Sequence, residues 1–318
     1  MEKRRLGRSN LMVSPLCLGG NVFGWTADEP TSFKVLDAFM EAGCNFIDTA
    51  DVYSRWVPGH EGGESETIIG KWMKARGNRD QVIIATKVGS EMGPDKKGLS
   101  RARIMEAVDE SLRRLQTTYI DLYQSHRDDL ETPQEETLSA YGDLIASGKV
   151  RVIGASNFTA ERLKEALAIS ARMGLPRYES LQPLYNLSDR AAFERDLEPV
   201  CRENEVGVIP YYALAAGFLT GKYRSEKDFG KSVRGANMAK YLTDRGRRIL
   251  TALDEVALHH GASPAQVAVA WLMAQPSITA PIASASRPEQ LDDLIAATRL
   301  RLDKAALEHL NKASAEAA

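Results

Sequence analysis

Residues 82–123 contain the unit that decides the fold: Val82-Ile-Ile-Ala85, then Ser100-Arg-Ala-Arg-Ile-Met-Glu-Ala-Val-Asp-Glu-Ser-Leu-Arg-Arg-Leu115, then Ile120-Asp-Leu-Tyr123. The first and last pieces are short apolar runs, which are typical of buried strands. The middle piece repeats an apolar residue every four positions at Ile104, Val108 and Leu112. Ser at its start can cap the first turn, so the piece predicts an amphipathic helix.

The same alternation of strand and helix extends along the chain. The predicted strands are 16–18, 44–47, 82–85, 120–123, 150–153, 179–182, 206–209 and 278–282. The predicted helices are 31–42, 100–115, 133–147, 159–174, 192–204, 246–260 with 264–274, and 288–298. This repeat predicts an α/β fold, a (β/α)8 TIM barrel. Residues 4–15 predict an N-terminal β-hairpin that plugs the barrel floor, and no linker divides residues 1–318, so we expect one domain.

A doubly wound sheet is the structural competitor, because it also alternates strands with helices. No G-x-G-x-x-G follows the first strand, where a dinucleotide-binding sheet needs its tight turn. The strands are apolar rather than alternating, which agrees with a parallel sheet covered on both faces. The barrel is therefore the favoured architecture.

The composition of the 318 residues is that of a globular protein, with 43% hydrophobic and 26% charged residues. A collagen, a disordered chain and a coiled coil are disfavoured. The formal net charge is only -2, so nothing in the overall charge favours nucleic acid or an anionic membrane as a partner.

The cysteine count and the N-terminus indicate where the protein works. Cys17, Cys44 and Cys201 are far apart in apolar stretches, which argues for a reducing compartment and against a disulfide framework. The first residues lack the apolar segment of a signal peptide, and the longest uncharged run, between His260 and Arg287, contains three prolines. We therefore expect a soluble, cytoplasmic protein.

Several catalytic motifs are absent from the sequence. Gly217-Phe-Leu-Thr-Gly-Lys-Tyr223 has the wrong glycine spacing for a phosphate-binding P-loop, and there is no H-E-x-x-H or G-x-S-x-G. The adjacent His259 and His260 are interpreted as a helix-end and surface feature, so no metal is expected.

Polar residues follow three consecutive predicted strands. Asp48 and Tyr53 follow the second, Lys87 the third and His126 the fourth. The carboxyl ends of barrel strands share one rim, so these side chains are expected to meet there. Each alone could be a solvated or ion-paired residue, but a lone lysine ending an apolar run needs a counter-charge, which Asp48 offers.

This set of side chains suits the reduction of a carbonyl group. A free tyrosine has a pKa of about 10, and a nearby ammonium is expected to lower it so that Tyr53 can act as a general acid. Asp48 would hold Lys87, and a neutral His126 would orient the carbonyl oxygen. None of these groups can supply a hydride, so a cofactor must.

The chain resembles the aldo-keto reductases, which are NADP(H)-dependent barrel oxidoreductases. The stretches that carry the resemblance run from Gly43-Cys-Asn-Phe-Ile-Asp-Thr-Ala-Asp-Val-Tyr53 through Gly63-Glu-Ser-Glu66, Ala85-Thr-Lys87, Tyr119-Ile-Asp-Leu-Tyr-Gln-Ser-His126, Gly148-Lys-Val-Arg-Val-Ile-Gly-Ala-Ser-Asn-Phe158, Gln182-Pro-Leu-Tyr-Asn186 and Gly217–Tyr223 to Ser286-Arg-Pro-Glu-Gln-Leu291. The resemblance implies a catalytic tetrad of Asp48, Tyr53, Lys87 and His126.

The resemblance also implies positions that bind NADPH. Ser156, Asn157 and Gln182 match contacts to the nicotinamide amide, and Tyr211 matches the aromatic that stacks on the ring. Arg287 lies where the family binds the 2′-phosphate, and a guanidinium suits that dianion. The remaining implied contacts are Leu214, Lys222, Arg234, Ser284, Ser286 and Gln290. Two positions depart from the family pattern: Tyr212 replaces a small residue, and Leu294 replaces an asparagine.

Residues 222–248 interrupt the repeat with nine basic and three acidic residues. They form either a solvated insertion or a mobile basic flap over a phosphate-rich ligand.

Phe23, Trp25 and Trp56 follow the first two strands, where they either line a substrate pocket or anchor the loops.

The expected function is reduction of an aldehyde or ketone by NADPH, with the proton from Tyr53. One alternative is a cofactor-binding, redox-sensing subunit that resembles channel β-subunits; an extra N-terminal arm would favour it, and the first predicted strand comes early in this chain. A barrel isomerase or lyase without nicotinamide is a second alternative. The substrate and the oligomeric state stay open.

Overall fold

The computed structural model describes residues 1–316. A short antiparallel hairpin of β1 (Arg4–Arg5) and β2 (Met12–Val13) precedes the main sheet. The main sheet has eight parallel strands, which are β3 (Cys17–Gly19), β4 (Phe46–Asp48), β5 (Ile83–Val88), β6 (Ile120–Ser125), β7 (Val150–Ser156), β8 (Tyr178–Gln182), β9 (Gly207–Val208) and β10 (Ile282–Ala283). Their order in the sheet is β10-β3-β4-β5-β6-β7-β8-β9, so strands that follow each other in sequence are neighbours in space.

Hydrogen bonds between the two ends of the sheet close it into a barrel. The Thr279 N–H donates to the Val208 carbonyl, and the Ile282 N–H donates to the Pro210 carbonyl, each at 2.8 Å. Ile278 also forms a parallel bridge with Val208, so the segment before β10 takes part in the pairing. The predicted (β/α)8 barrel is confirmed. The strand predicted at 278–282 is wrong in its bounds, because only its last residue lies in β10.

Ten helices surround the barrel in the described residues. They are α1 (Glu29–Glu41), α2 (Glu64–Arg76), α3 (Arg101–Leu115), α4 (Gln134–Ala146), α5 (Ala160–Met173), α6 (Glu198–Glu203), α7 (Asp244–His260), α8 (Pro264–Met273), α9 (Pro288–Ala297) and α10 (Lys304–Ser314). Ser100 caps α3 as predicted, since its hydroxyl accepts from the Arg103 N–H at 3.3 Å. Thr159 caps α5 in the same way, through the Arg162 N–H.

Two helices, α2 and α10, were not predicted from the sequence. The buried face of α2 includes Ser65, Glu66 and Gly70, so its apolar spacing is interrupted. Gly70 is required there because a Cβ would lie 2.2 Å from the Arg114 carbonyl oxygen, where α3 packs against α2. The inward face of this helix is therefore polar and small, and periodicity alone does not identify it.

The hairpin closes the amino-terminal end of the barrel, as the predicted plug requires. Leu6, Leu11 and Val13 pack with interior residues of the strands in a cluster separate from the larger core. Arg4 ties the hairpin to the last barrel segment by donating to the Ile278 carbonyl at 3.0 Å. Gly207 allows the close approach, because a Cβ there would lie 2.6 Å from the Gly7 nitrogen.

The segment between β9 and α7 contains four short 3-10 turns, at 215–220, 226–231, 235–237 and 239–241. The helix that follows begins at Asp244, two residues earlier than predicted, with Thr243 as its cap. Among residues 1–316, none of the helices combines the length and the apolar character needed to cross a membrane.

Candidate active site

Four polar side chains meet at the carboxyl end of the barrel. Asp48 is the last residue of β4, Lys87 is the penultimate residue of β5, and His126 directly follows β6. Tyr53 lies in the loop after β4. Because parallel strands end at a common rim, four residues that are far apart in sequence become neighbours.

The Lys87 ammonium is the centre of this cluster. Its Nζ donates to Asp48 Oδ2 at 2.6 Å, to the Thr49 carbonyl at 2.7 Å and to the Tyr53 hydroxyl oxygen at 2.9 Å. The Tyr53 hydroxyl points its own proton toward Asp48 Oδ2, at the longer distance of 3.4 Å. The ring centroids of Tyr53 and His126 are 6.0 Å apart. The structure therefore brings the predicted tetrad together.

Two buried amides hold the Asp48 carboxylate from inside the barrel. Gln124 Nε2 and Gln182 Nε2 donate to Asp48 Oδ1 at 3.1 and 2.9 Å. Gly154 makes room for this layer, because a Cβ would lie 2.2 Å from Ser180 Oγ and 3.2 Å from Gln124 Cγ. The two oxygens of Asp48 therefore accept four hydrogen bonds, from Lys87, Tyr53, Gln124 and Gln182. These contacts fix the carboxylate, and the carboxylate in turn fixes the ammonium of Lys87.

The prediction that the pKa of Tyr53 is lowered is wrong. Burial raises the pKa of Tyr53 to about 12, Lys87 opposes this rise, and Asp48 adds to it. The ammonium acts in the predicted direction, but the loss of water around the phenolate outweighs it. Tyr53 is therefore a protonated donor at neutral pH.

The charges of Lys87 and His126 are set by their surroundings. Burial alone would lower the pKa of Lys87, but Asp48 and Tyr53 outweigh it and raise the pKa. Burial, Lys87 and Arg127 hold the pKa of His126 well below its ordinary value. Lys87 is thus charged and His126 is neutral at physiological pH, as expected for both. The His126 Nδ1 is buried and has no partner among the described residues.

The loop that presents Tyr53 has an unusual backbone at the next residue. Ser54 has φ of 74°, a left-handed conformation that is uncommon outside glycine. Its buried hydroxyl donates to the Phe23 carbonyl at 2.8 Å, which ties this loop to the loop after β3. Such a conformation persists only where surrounding contacts hold it, and here it aims Tyr53 into the rim.

A second group of charges is buried behind the tetrad. Glu66 accepts from Thr86 Oγ1 at 2.5 Å and from Arg114 Nε at 2.6 Å. Asp51, between Asp48 and Tyr53 in the chain, is fully buried, and its nearest cation is Arg103 at 3.6 Å. Both Asp51 oxygens lack a hydrogen-bond partner among residues 1–316. Asp51 belongs to the same loop as Tyr53, so this group of charges adjoins the tetrad in the chain.

The residues predicted to hold the nicotinamide are contiguous on the rim. Ser156 Oγ donates to the Gln182 carbonyl at 2.8 Å, and Asn157 Nδ2 donates to the His126 carbonyl at 2.9 Å. The Tyr211 hydroxyl donates to Asn157 Oδ1 at 2.9 Å. Asn157 is exposed and Tyr211 half-buried, while Gln182 is buried and its amide nitrogen is engaged by Asp48.

The residues predicted to hold phosphate groups carry free positive charge. Lys222 Nζ lies 5.0 Å from the centre of the Tyr223 ring, and the Arg234 guanidinium lies 5.5 Å from that of Trp25. In the described part of the chain, no carboxylate oxygen lies within 4 Å of either cation. Gly217 leaves room for Lys222, because a Cβ there would lie 3.2 Å from its Nζ. The donors fit an anion such as a pyrophosphate.

A second positive site lies at the start of α9. Ser286 contacts Gln290 Oε1 through both its N–H, at 2.9 Å, and its hydroxyl, at 3.1 Å. Arg287 is exposed, and its Nε lies 3.6 Å from a carboxylate oxygen of Glu289. Ser284 Oγ donates to Asn21 Oδ1 at 2.5 Å. A helix start with an exposed guanidinium suits a phosphate dianion, so the residues fit the predicted cofactor.

A cleft of about 690 Å³ opens beside the tetrad, lined by Asn21, Trp25, Trp56, Tyr212, Ala216, 233–234 and 236–241. Trp25 and Trp56 meet edge to face, with ring centroids 5.6 Å apart, and Trp56 lies 6.0 Å from Tyr53. Residues 233–234 and 236–241, from the basic segment 222–248, therefore line the cleft together with the rings of Trp25 and Trp56.

Phe23, a candidate substrate contact, and Leu294, a departure from the family pattern, lie in the core. Phe23 has no accessible surface, so its predicted contact with substrate is corrected: it is a packing anchor, and its carbonyl holds Ser54. Leu294 is also buried, and Leu214 packs partly against the core. Tyr212, in contrast, is 47% exposed and lines the cleft with φ of 58°.

Sequence reasoning assigned no role to Gln124, Ser54 or Arg103. Gln124 lies in β6, two residues before His126, which directly follows the strand. Because side chains alternate along a strand, this spacing could have placed both on the inner face. Ser54 and Arg103 act through contacts between distant segments, for which periodicity gives no signal.

Comparison with known proteins agrees with this geometry. The family model described as "Aldo/keto reductase family" matches residues 15–315. The chain is 39% identical over 320 residues to the uncharacterized oxidoreductase YrpG of Bacillus subtilis, covering 98% of this chain and 95% of that protein. It is 33% identical to the versiconal hemiacetal acetate reductase of Aspergillus parasiticus, with 98% and 96% covered. It is also 35% identical to a probable voltage-gated potassium channel subunit beta of Oryza sativa, with 92% and 89% covered.

Proposed function

The chain belongs to the aldo/keto reductase family, and we propose that it reduces the carbonyl group of an aldehyde or ketone to an alcohol with NADPH. One observation carries the proposal: Lys87 Nζ is 2.9 Å from the Tyr53 hydroxyl and 2.6 Å from Asp48. This places a protonated phenol, with a cation at its oxygen, at the rim of an open cleft. The arrangement can give up a proton and stabilise the charge left behind.

Tyr53 acts as the general acid in this proposal. As charge develops on the carbonyl oxygen of the substrate, the phenol donates its proton to that oxygen, and its own O–H bond breaks. The Lys87 ammonium already donates to the phenol oxygen, so the phenolate is stabilised as it forms. A positioned acid of this kind contributes roughly 10²–10⁴-fold to a rate.

His126 and the buried amides position the reacting groups. A neutral imidazole at the rim can orient the carbonyl oxygen without competing with Tyr53 as an acid. Gln124 and Gln182 fix Asp48, and Asp48 fixes Lys87, so the proton donor is held before the substrate arrives. This preorganisation lowers the reorganisation needed in the transition state.

NADPH supplies the hydride when it is bound. Ser156, Asn157, Gln182 and Tyr211 would hold its nicotinamide end. Lys222 and Arg234, with Leu214 in the same loop, would hold the pyrophosphate. Ser284, Ser286, Arg287 and Gln290 would hold the adenosine and its 2′-phosphate. The exposed guanidinium of Arg287, near the expected position of the 2′-phosphate, supports NADPH over NADH.

Trp25 and Trp56 are proposed to contact the substrate. Trp56 is 48% exposed and lies beside Tyr53, so a group attached to the carbonyl carbon would meet its ring.

We also propose a reducing, cytoplasmic location, which the three buried free cysteines support.

A panel of aldehydes, ketones and sugars tests the proposal, with NADPH oxidation followed by absorbance and NADPH binding followed by fluorescence quenching. Tyr53→Phe is expected to bind NADPH with near-normal affinity and to lose turnover. Turnover equal to the wild type in that variant would contradict the mechanism. Binding without turnover in the wild type, over the whole panel, would instead favour a redox-sensing subunit.

A further inference from the structure

Two neighbouring histidines and an aspartate converge where α7 ends and α10 begins. One ligand atom from each of His259, His260 and Asp303 lies within 4.8 Å of the others. The two imidazole rings are nearly perpendicular, with centroids 5.1 Å apart. The sequence placed the histidines at a helix end, but the fold adds a carboxylate from a distant segment. None of the three belongs to the tetrad or to the lining of the cleft.

The geometry points to a binding site for a borderline divalent transition ion such as Zn²⁺ at His259, His260 and Asp303. Two imidazoles with one carboxylate form a ligand set typical of Zn²⁺, and of Ni²⁺ or Cu²⁺, whereas Mg²⁺ and Ca²⁺ prefer oxygen ligands alone. Two ligands about 2.1 Å from one ion are at most about 4 Å apart, so small side-chain rotations close the remaining gap.

The backbone holds the three ligands in place. Asp303 caps α10, because its Oδ1 accepts from the Ala306 N–H at 2.8 Å. Leu302 and Ala306, on either side of that cap, pack against the core. The histidines occupy the last turn of α7, and Gly261 caps that end of the helix. His259 and Asp303 are exposed and His260 is half-buried, so small rotations of these side chains can bring the ligand atoms to an ion without a movement of either helix.

Two features of the site favour a cation. The His260 Nε2 is buried and has no hydrogen-bond partner among residues 1–316, so an imidazole is left unsatisfied. The carboxyl end of α7 carries partial negative charge from its free carbonyl groups, and Asp303 adds a full one. Lys304, the cation that follows Asp303 in the chain, pairs with Glu308 of its own helix at 3.6 Å, and this carboxylate offsets part of the lysine charge.

An ion here would join the two helices. α10 runs antiparallel to α7: Asp303 lies beside the end of α7, His309 contacts Glu255 at 2.7 Å, and Arg245 at the start of α7 donates to the Ser314 carbonyl. A ligand set drawn from both helices would tie the C-terminal helix to the rest of the molecule. Binding to the folded state alone raises stability by mass action.

The test is Zn²⁺ binding by the purified full chain, measured by isothermal titration and by the shift of the melting temperature. One ion per chain is expected in the wild type, with no shift from Mg²⁺. His260→Gln and Asp303→Asn should each weaken Zn²⁺ by more than about tenfold. Asparagine can still cap α10, so Asp303→Asn separates loss of the ligand from loss of the helix cap.

His309→Gln is the matched control, since it removes an exposed imidazole from the same pair of helices but outside the cluster. It should keep the Zn²⁺ affinity of the wild type. Hydrogen exchange of residues 304–314 should slow with Zn²⁺ in the wild type and in His309→Gln, and not in His260→Gln. Equal affinity in the wild type and in the His259→Gln/His260→Gln/Asp303→Asn variant would overturn the site. Carbonyl reduction plays no part in these readouts.

Discussion

The Lys87 ammonium donates to the Tyr53 phenol oxygen across 2.9 Å while it is held by Asp48 at 2.6 Å. A cation is thus fixed at the atom that must bear negative charge after proton transfer. Without it, the buried phenolate would have no nearby compensation, since burial is the main cause that raises the pKa of Tyr53 to about 12.

Lys87→Met should lower kcat by roughly 10²–10⁴-fold while NADPH binding is retained, because the side chain acts in the proton step. It also leaves Asp48 buried without its cation, so the melting temperature must be measured beside the rate. Lys74→Met is the control: it removes an exposed lysine from the last turn of α2. A folded Lys87→Met protein with wild-type kcat would contradict the role of the ammonium.

The pH dependence of kcat/KM for reduction should show no falling limb between about pH 6 and about pH 9, because the free protein's acid, Tyr53, stays protonated there. Its pKa is raised to about 12, so the protonated, active form is lost only as the pH rises toward that value. The reverse reaction, which needs the phenolate, should instead accelerate with rising pH. A falling limb near neutrality in the reductive direction would show that another group is the acid.

The sequence predicted the barrel because its strands and most of its helices have distinct hydrophobic patterns. It predicted the tetrad because strand ends converge in a parallel barrel, so Asp48, Lys87 and His126 needed only their strand assignments. It did not predict α2, whose buried face includes Glu66 and Gly70. It also misjudged Tyr53, since the balance between Lys87 and burial depends on how much water the folded site excludes.

Contacts between segments that are remote in sequence were the other limit. Phe23 was predicted either to contact the substrate or to anchor its loop, and the structure decides for the anchor, because the ring is buried and the carbonyl holds Ser54. His259 and His260 gave no indication of a third ligand, because Asp303 reaches them only through the packing of α10 on α7. Such pairings follow from tertiary structure and have no local periodicity.

Above about pH 8, where Asp51 is ionised, Arg103→Met should destabilise the protein by about 3–5 kcal/mol, because the Asp51 carboxylate then stays buried without its nearest cation. Arg101→Met on the same helix removes an exposed pair with Asp143 and should cost less than about 1 kcal/mol. Denaturant unfolding of both variants makes the comparison. Equal losses of unfolding free energy in the two variants would show that the buried pair contributes no more to stability than the exposed pair.

Asp51 should also make stability depend on pH. Burial first, and then Glu66, raise its pKa from 3.8 to about 7, against the effect of Arg103. The folded state therefore binds the extra proton between these two pH values, and the stabilisation it gives is lost as the pH rises through that window. Asp51→Asn should flatten the dependence of the unfolding free energy on pH in this range. An unchanged slope would mean that Asp51 stays ionised.

Arg287→Ala should weaken NADPH by about 1–3 kcal/mol and leave NADH nearly unchanged, since one charge-assisted contact to the 2′-phosphate is lost. Arg195→Ala, which removes an exposed arginine paired with Asp196, should affect neither. Fluorescence titration with both dinucleotides measures the difference. Equal weakening of NADPH and NADH would show that Arg287 does not distinguish them.

Trp56→Ala should reduce kcat/KM for aldehydes with an aromatic substituent far more than for small aliphatic aldehydes. The ring centroid lies 6.0 Å from that of Tyr53, and Trp56 is 48% exposed and lines the cleft, so it is available to a group attached to the carbonyl carbon. Loss of one stacked aromatic contact corresponds to about 0.5–1.5 kcal/mol beyond the buried area. Trp56→Phe should retain most of the preference, because a ring remains. The same loss for both classes of aldehyde would indicate that Trp56 supports the loop through Trp25 and does not contact the substrate.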